Sequence, residues 1–159
     1  MRILGVDCGS RVTGYGVIES APGRLQAVGH GAIRIPAGRS LAERLRLVAE
    51  GLERVVERYG PAEAAFEEVF TAKNPRTALV LAHVRGAAML SVARAGLPVA
   101  SYSPTQVKAS ITGHGGAPKK QVRRMVRLVM GIEGDVRPLD ASDALAVAYC
   151  HSTRGGSVA

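Results

Sequence analysis

Five acidic side chains stand in or beside apolar segments, where a solitary carboxylate is costly to bury. Asp7 follows an apolar run, and Glu67 and Glu68 end a second one. Asp140 and Asp143 lie three residues apart near the C-terminus, so these positions take three of the four aspartates. Crowded carboxylates need a compensating cation, and all-oxygen ligation suits Mg²⁺ or Mn²⁺. Two such ions about 4 Å apart can activate water and stabilise a leaving oxygen, which is the chemistry of phosphodiester hydrolysis.

The basic residues are concentrated between Glu68 and Glu133. The 64 residues in between contain ten Lys or Arg and no Asp or Glu, so this acid-free segment carries +10 and the rest of the chain −2. A one-sided positive field attracts phosphate backbones. Carboxylates beside such a surface therefore indicate metal-dependent cleavage of a nucleic acid.

The composition is that of a single folded domain. The chain has 159 residues, of which 47% are hydrophobic and 21% charged, and this balance argues against disorder. Cys8 and Cys150 lie in predicted core segments and fit neither a disulfide framework nor a metal-ligand spacing. The apolar run at residues 1–6 is too short for a signal peptide, and the run at 78–92 is interrupted by a histidine and an arginine. We expect a cytoplasmic protein without a membrane span.

Turn residues and hydrophobic periodicity divide the chain into alternating elements. They predict strands at residues 2–6, 13–18, 25–35, 64–67 and 98–103. They predict helices at residues 41–59, after a Ser40–Glu43 capping box, and at 75–95, 104–112, 119–130 and 139–151. This order predicts an α/β fold with a five-stranded mixed sheet flanked by helices. We expect one domain over residues 1–151 and a flexible tail over 152–159.

These elements are predicted to bring the carboxylates together. A right-handed crossover places the strand that ends at Glu67 beside the strand that ends near Asp7. Glu68 points to the opposite face because side chains alternate along a strand, so it is the weaker candidate. Asp140 and Asp143 share one helical face, although an Asp-x-x-Asp start is also typical of helix capping. Taken alone, Asp7 is also explained as the cap of the turn that follows its strand.

The motifs that contain these carboxylates resemble one family. The segments 4–18 (LGVDCGSRVTGYGVI), 66–74 (FEEVFTAKN) and 140–146 (DASDALA) resemble, in order and spacing, the RuvC family of bacterial Holliday-junction resolvases. The resemblance runs from residue 1 to about 150. It implies a ribonuclease-H-like fold, a homodimer, and metal-dependent nicking of two opposed strands of a four-way DNA junction that leaves 5′-phosphate and 3′-hydroxyl ends. It also implies a branch-migration complex with RuvA and RuvB.

The resemblance assigns roles to particular residues. Lys108 and Lys119 match basic residues near the scissile phosphate, where they would contact DNA and stabilise charge in the transition state. Cys8 stands where the family usually has proline, which affects the rigidity of the turn and not a ligand. Four acidic positions match the catalytic carboxylates that hold two Mg²⁺ or Mn²⁺ ions: Asp7, Glu67, Asp140 and Asp143.

Further residues are predicted to contact DNA. Phe70 matches the family's aromatic that inserts at the junction centre and stacks on bases, although a lone Phe is more often a core residue. The helix at 119–130 continues the acid-free segment, which favours phosphate contact over simple solvent exposure; for Lys120 by itself, exposure is the simpler explanation. The remaining candidates are Lys73, Asn74 and Arg76 in the loop after Phe70, and Lys119, Lys120, Arg123 and Arg124 on that helix.

Two expectations concern the helices, and one histidine has no role. The small residues Gly86, Ala87 and Ala88 allow close approach of a partner, so the helix at 75–95 is the predicted dimer interface. His151 is predicted to cap the last helix. Nothing in the sequence assigns a role to His114.

Three other functions fit parts of the sequence. A ribonuclease-H-like RNA-processing nuclease shares the strand-end aspartate and the glycine pattern, and would cut RNA. An actin-like nucleotide-binding domain would use residues 7–10 as a phosphate loop, but such folds generally need two domains. A non-catalytic junction-binding module would bind junctions without nicking them, so Asp7→Asn distinguishes it from an enzyme.

Overall fold

Strands and helices follow one another in the predicted order. In this computed structural model, residues 1–69 and 74–155 are described. The strands are β1 (Arg2–Cys8), β2 (Val12–Ala21), β3 (Arg24–Arg34), β4 (Glu63–Glu67) and β5 (Val99–Tyr102). The helices are α1 (Leu41–Tyr59), α2 (Pro75–Arg94), α3 (Pro104–Thr112), α4 (Lys119–Val129) and α5 (Leu139–Thr153). Over these two ranges, no helix combines the length and the apolar character that crossing a membrane requires.

The five strands form one mixed sheet in the order β3-β2-β1-β4-β5. The first three strands are antiparallel, as expected for strands joined by short turns. Strands β4 and β5 run parallel to β1, because helical crossovers precede them. This confirms the predicted sheet and places β1 and β4 side by side at its centre.

Helices cover both faces of the sheet. Alternate residues of β1 point to opposite sides, so that Leu4 and Val6 pack with Leu52 of α1, whereas Ile3 packs with Leu145 of α5. Helices α1 and α2 lie on the first side, and α3, α4 and α5 lie on the second. The second side carries the carboxylates, because Asp7 has the same strand parity as Ile3.

Glycines in β1 and β2 allow α5 to lie directly on the sheet. A methyl group on Gly5 would collide with the backbone carbonyl of Ala144, and one on Gly14 would collide with the backbone of Asp140. Gly16 leaves room for the side chain of Leu145 in the same way. The backbone of α5 is therefore held against the sheet at the position where β1 ends.

The helix ends show which capping predictions hold. Ser40 and Glu43 form the predicted reciprocal capping box at the start of α1. Helix α5 begins after Pro138 without a side-chain cap hydrogen bond, although Asp140 lies in its first turn, where a carboxylate complements the helix dipole. No side-chain hydrogen bond to the start of α5 occupies the carboxylate of Asp143, which instead contacts Lys119 and Arg123.

Two predictions about buried polar residues have opposite outcomes. Cys8 and Cys150 are free, buried thiols, as predicted. His151 does not cap α5, because the helix continues to Thr153 and the side chain turns into the interface with the sheet. There the two ring nitrogens of His151 lie 2.7 Å from a carboxylate oxygen of Glu63 and 2.7 Å from the hydroxyl of Tyr102.

Candidate active site

Two carboxylates meet where neighbouring strands end. Asp7 follows Val6 in β1, Glu67 follows Phe66 in β4, and Val6 pairs with Phe66 in the parallel register. Parallel strands present their carboxyl ends at the same edge of a sheet, so Asp7 and Glu67 are brought to one place. The predicted adjacency of these two residues is confirmed.

A cavity of about 260 Å³ opens above these strand ends. Its apolar wall is formed by Val107 and Pro104 of α3, Val122 of α4 and Ala146 of α5. The charged residues that line it come from five different elements: Asp7, Glu67, Lys108, Lys119 and Asp143. Five of the six predicted catalytic residues therefore converge on one cavity.

Asp143 has two cationic neighbours. Its Oδ2 lies 3.4 Å from Nζ of Lys119 and 3.4 Å from a guanidinium nitrogen of Arg123. The side chain of Asp143 is 15% exposed, that of Arg123 is 28% exposed, and that of Lys119 is 70% exposed. Arg123 therefore reaches inward to the carboxylate, whereas Lys119 stands at the open side of the cavity.

Asp140 borders the cavity but does not line it. Its backbone packs against Gly14 of β2, which pairs with Asp7 of β1. Its charge raises the pKa of Asp7, so the two carboxylates interact. The sequence prediction of four converging carboxylates thus holds for three in the cavity, with the fourth at its border.

Burial and mutual repulsion raise the pKa values of two of these carboxyl groups. Burial is the main cause for Asp7, whose pKa rises from 3.8 to about 6, and Asp143 and Asp140 add to the effect. Burial is also the main cause for Glu67, whose pKa rises from 4.5 to about 7, with further contributions from Asp7 and Asp143. Lys119 opposes both shifts. A bound cation would relieve the repulsion that these shifts reflect.

The chemistry of the donor set fits a hard divalent cation. Residues 1–69 and 74–155 contain no group of three His, Cys, Asp or Glu side chains already arranged around a metal position. The cavity nevertheless offers only carboxylate oxygens as anionic ligands, and Mg²⁺ and Mn²⁺ prefer such oxygens. Asp7, Glu67 and Asp143 are the residues that could hold the cation, with Asp140 beside them.

Arg85 supports the site and was not predicted to belong to it. From α2, its Nε lies 3.3 Å from the carbonyl oxygen of Glu67, and its terminal nitrogen donates to Oγ of Ser101 at 2.6 Å. It thereby ties the end of β4 to β5. The sequence showed Arg85 only as an interruption of an apolar helix, and that interruption was the available signal.

Cys8, the departure from the family pattern, is chemically quiet. Burial, and then the charge of Asp7, raise the pKa of its thiol from 9.0 to about 12. At neutral pH the thiol stays protonated, and a protonated thiol is a poor nucleophile. The substitution therefore introduces no reactive group beside Asp7.

The predicted DNA contacts lie in several places. Phe70 and Lys73 fall outside the described residues. Asn74 caps α2 by accepting a hydrogen bond from the backbone N–H of Thr77 at 2.9 Å, and Arg76 is exposed in the first turn of that helix. Lys108 and Lys119 line the carboxylate cavity. The other three residues of this set line a second cavity of about 690 Å³ between α4 and α5: Lys120, Arg123 and Arg124.

Known proteins match this chain over nearly its whole length. The chain is 46% identical to the crossover junction endodeoxyribonuclease RuvC of Chlorobaculum parvum over 99% of its own length and 84% of that protein. It is 48% identical to the RuvC of Geobacter sulfurreducens, with 96% and 92% covered.

Solved structures agree with these relatives. The structure of T. thermophilus RuvC in complex with Holliday junction substrate superimposes with a TM-score of 0.89 at 30% identity, covering 96% of this chain and 93% of that one. The yeast mitochondrial Holliday junction resolvase has a TM-score of 0.64 at 13% identity, which shows the same fold. The model of the family described as crossover junction endodeoxyribonuclease RuvC matches residues 3–151. The chain therefore belongs to the RuvC family.

Proposed function

We propose that this chain is a metal-dependent endonuclease that resolves four-way DNA junctions. One observation carries the proposal: three carboxylates and two lysines from five separate elements converge on one cavity in a member of the RuvC family. Two opposed strands would be nicked symmetrically, leaving 5′-phosphate and 3′-hydroxyl ends. The acid-free segment supplies the positive field that holds the DNA arms.

The carboxylates would position the metal and the lysines would face the phosphate. Asp7, Glu67 and Asp143 would hold Mg²⁺ or Mn²⁺ as oxygen ligands, with Asp140 completing the set, and we propose two ions. When bound, such ions supply Lewis acidity toward phosphate oxygens and lower the pKa of water. Because Asp7 and Glu67 are half-buried residues that line the cavity, they also limit where a cation can sit.

Lys108 and Lys119 would stabilise negative charge on the scissile phosphate. They approach the cavity from different helices, so their ammonium groups can reach the phosphate from two directions. Lys119 is 70% exposed and pairs only at 3.4 Å with Asp143, which leaves it able to turn toward a substrate. Fixed positive charges near a developing negative charge lower the barrier to its formation.

A homodimer would account for two symmetric nicks, and α2 offers a suitable face. Leu79 and Leu90 are 62% and 60% exposed, and His83 and Gly86 lie between them on the same side of the helix. A methyl group added to Gly86 would touch nothing, so a partner backbone could approach it closely. We propose that this face, which we call the α2 stripe, pairs with its copy across a two-fold axis.

The wider setting follows from the family. We propose a nuclease domain over residues 1–151, with residues 152–159 as a tail, and action in the cytoplasm, where bacterial chromosomes lie. Cooperation with the branch-migration proteins RuvA and RuvB is proposed on the resemblance alone. The match of the family model to residues 3–151 supports the domain boundary.

The decisive experiment uses a synthetic four-way junction with and without Mg²⁺ or Mn²⁺. We expect paired nicks at symmetry-related positions only when the metal is present, and ligatable ends. Asp7→Asn should lower the nicking rate by about 100- to 1,000-fold while junction binding persists. Glu53→Gln, on the exposed side of α1, is the matched control and should nick normally.

The same experiment separates the alternatives. Cleavage of an RNA–DNA hybrid in preference to the junction would favour a ribonuclease. Binding without nicking in either metal would favour a junction-binding module. Unchanged nicking by Asp7→Asn would show that the catalytic assignment is wrong.

A further inference from the structure

The second cavity is a positively charged pocket separate from the carboxylates. It lies between α4 and α5 and has a volume of about 690 Å³. Lys120, Arg123, Arg124 and Arg127 line it, against a single acid, Asp135. Asp135 is already paired with Arg127 at 3.4 Å and Arg137 at 3.7 Å. The lining therefore has a clear excess of positive charge.

The first turns of two helices contribute to the lining of the same cavity. Pro118 precedes α4 and Pro138 precedes α5, and neither helix has a side-chain cap. Residues of both first turns line the cavity, among them Gln121 of α4 and Leu139 of α5. Uncapped N–H groups carry partial positive charge and favour anions.

Ser142 provides an independent observation. It lines the cavity from the first turn of α5 and is only 1% exposed. Its hydroxyl oxygen is buried and has no hydrogen-bond partner among the residues that the structure describes. A buried hydroxyl without a partner costs stability, and a ligand that accepts its hydrogen bond would remove that cost. Nε of Arg123, which lines the same cavity, is also buried without a partner there.

The cavity is next to the carboxylate cavity but distinct from it. Along α4, Lys119 and Val122 face the carboxylates, whereas the residues that follow each of them line the second cavity. Along α5, Asp143 lines the carboxylate cavity, whereas Ser142 lines the second cavity. Arg123 crosses between the two, because it lines the second cavity and contacts Asp143 at 3.4 Å.

We propose that this second cavity binds a DNA backbone phosphate other than the scissile one. The proposal rests on the proposed function only for the identity of the DNA. The excess of positive charge and the unpartnered hydroxyl select a phosphate, and the volume exceeds that of one phosphate group, so it admits a phosphodiester with its flanking sugars. Apolar lining from Val136 and Leu139 suits the sugars.

The test measures binding of a fluorescent four-way junction in EDTA, so that no nicking is needed. Arg124→Gln should weaken binding about tenfold and lower the magnitude of the log-log salt slope by about 0.9, because one phosphate contact is lost. Arg54→Gln, on α1 across the sheet, is the matched control and should change neither quantity. If Arg124→Gln behaved like Arg54→Gln, the proposal would be wrong.

Ser142→Ala is a second test, because its expected effects differ from those of removing a hydroxyl that only stabilises the fold. We expect junction affinity to fall about three- to tenfold with the salt slope unchanged, because the hydroxyl is neutral. The Tm of the DNA-free protein should rise by about 2–4 °C, because an unsatisfied buried group is removed. A fall in Tm with unaltered affinity would overturn the role of Ser142.

Two further results keep this proposal separate from the enzymatic one. Calorimetry with inorganic phosphate tests the free ion: if it bound while Arg124→Gln left DNA affinity unchanged, the assignment to DNA would be wrong. If the protein bound junctions with the expected Arg124 dependence but failed to nick them with metal, the cavity proposal would stand and the proposed endonuclease would not.

Discussion

At the residue scale, Asp7 and Glu67 are the two carboxylates of the cavity whose protonation differs most from that of ordinary acidic side chains. Both are positioned by strand ends, and burial raises the pKa of both well above ordinary values. Without a cation they therefore retain protons up to about pH 6 and pH 7 respectively. A bound cation would therefore stabilise the ionised forms of these two groups.

Stability should therefore depend on pH in a defined direction. Between about pH 4 and pH 7 the folded protein binds more protons at these two groups than the unfolded chain does, because their folded pKa values are higher. Their contribution to the free energy of unfolding consequently falls as pH rises through that window. Asp7→Asn should raise the free energy of unfolding by about 1–3 kcal/mol at pH 8 and have little effect at pH 4.

Urea unfolding in EDTA at the two pH values measures this effect. Glu53→Gln is exposed on α1 and should show no such difference between pH 4 and pH 8. Added Mg²⁺ should stabilise the wild type more than Asp7→Asn, because a ligand that binds only the folded state stabilises it. A destabilised Asp7→Asn at pH 8 would contradict the explanation by burial and repulsion.

Arg85 is a positioning residue whose loss should affect turnover more than binding. Arg85→Met keeps the aliphatic stem but removes the contacts to the carbonyl oxygen of Glu67 and to Oγ of Ser101. We expect kcat to fall about tenfold with junction affinity unchanged, because a small displacement of a catalytic group is costly. Arg85→Lys should recover part of the rate, and Arg54→Met should be neutral. A fall in junction affinity with kcat unchanged would instead indicate that Arg85 contacts DNA.

At the scale of elements, the seating of α5 on the sheet decides where two aspartates lie. Gly5, Gly14 and Gly16 have no side chain to hold the helix away, so the backbone of α5 reaches the strands. Asp140 and Asp143 are carried on that helix toward the end of β1. The geometry of the site is therefore set by the absence of three side chains.

Gly14→Ala should disturb both stability and activity. The new methyl group collides with the backbone of Asp140, and we expect a loss of about 2–3 kcal/mol in the free energy of unfolding. Nicking should fall further than the folded fraction, because Asp140 is displaced. Gly23→Ala is the control: its φ is 70° and no atom lies near its added methyl group, so only about 1 kcal/mol of backbone cost is expected. Equal losses for the two variants would show that contact with α5 is not the cause.

At the scale of the whole molecule, two exposed surfaces differ in chemical character. The α2 stripe is apolar and exposed, whereas α4 and the cavity beside it are basic. Helix α2 lies on the opposite face of the sheet from α4, so a dimer formed through α2 would leave the basic surface of each copy open to DNA. Two copies related by a two-fold axis would present two cavities to two opposed strands.

The oligomeric state tests this arrangement. Leu90→Lys should convert the proposed dimer to a monomer, because it places an unpaired charge within an apolar contact. Leu128→Lys is the matched control, since Leu128 on α4 is 59% exposed and Leu90 is 60% exposed. Light scattering of the eluted protein should give one mass for Leu90→Lys and twice that mass for the wild type and Leu128→Lys. A dimer that survives Leu90→Lys and dissociates with Leu128→Lys would place the interface on α4.

The sequence by itself determined the elements, their order and the candidate carboxylates. Periodicity, turn residues and the Ser40–Glu43 pair are local signals, so they locate helices and strands without knowledge of the fold. The adjacency of Asp7 and Glu67 was also predictable, because crossover handedness leaves few positions for β4. The register of β1 and β4 confirms this adjacency, and the observed strands and helices follow the predicted order.

Only the tertiary structure decided which side chains meet across elements. Arg123 contacts Asp143, Arg85 contacts the end of β4, and His151 turns inward to Glu63 and Tyr102. Such pairs depend on how each helix is rotated about its own axis and on how closely it packs against the sheet. A small shift of a helix brings a different side chain to the same position. Arg123 and Asp143 lie 20 positions apart and Glu63 and His151 lie 88 apart, so no local signal in the sequence marks their contact, and packing selected these pairs.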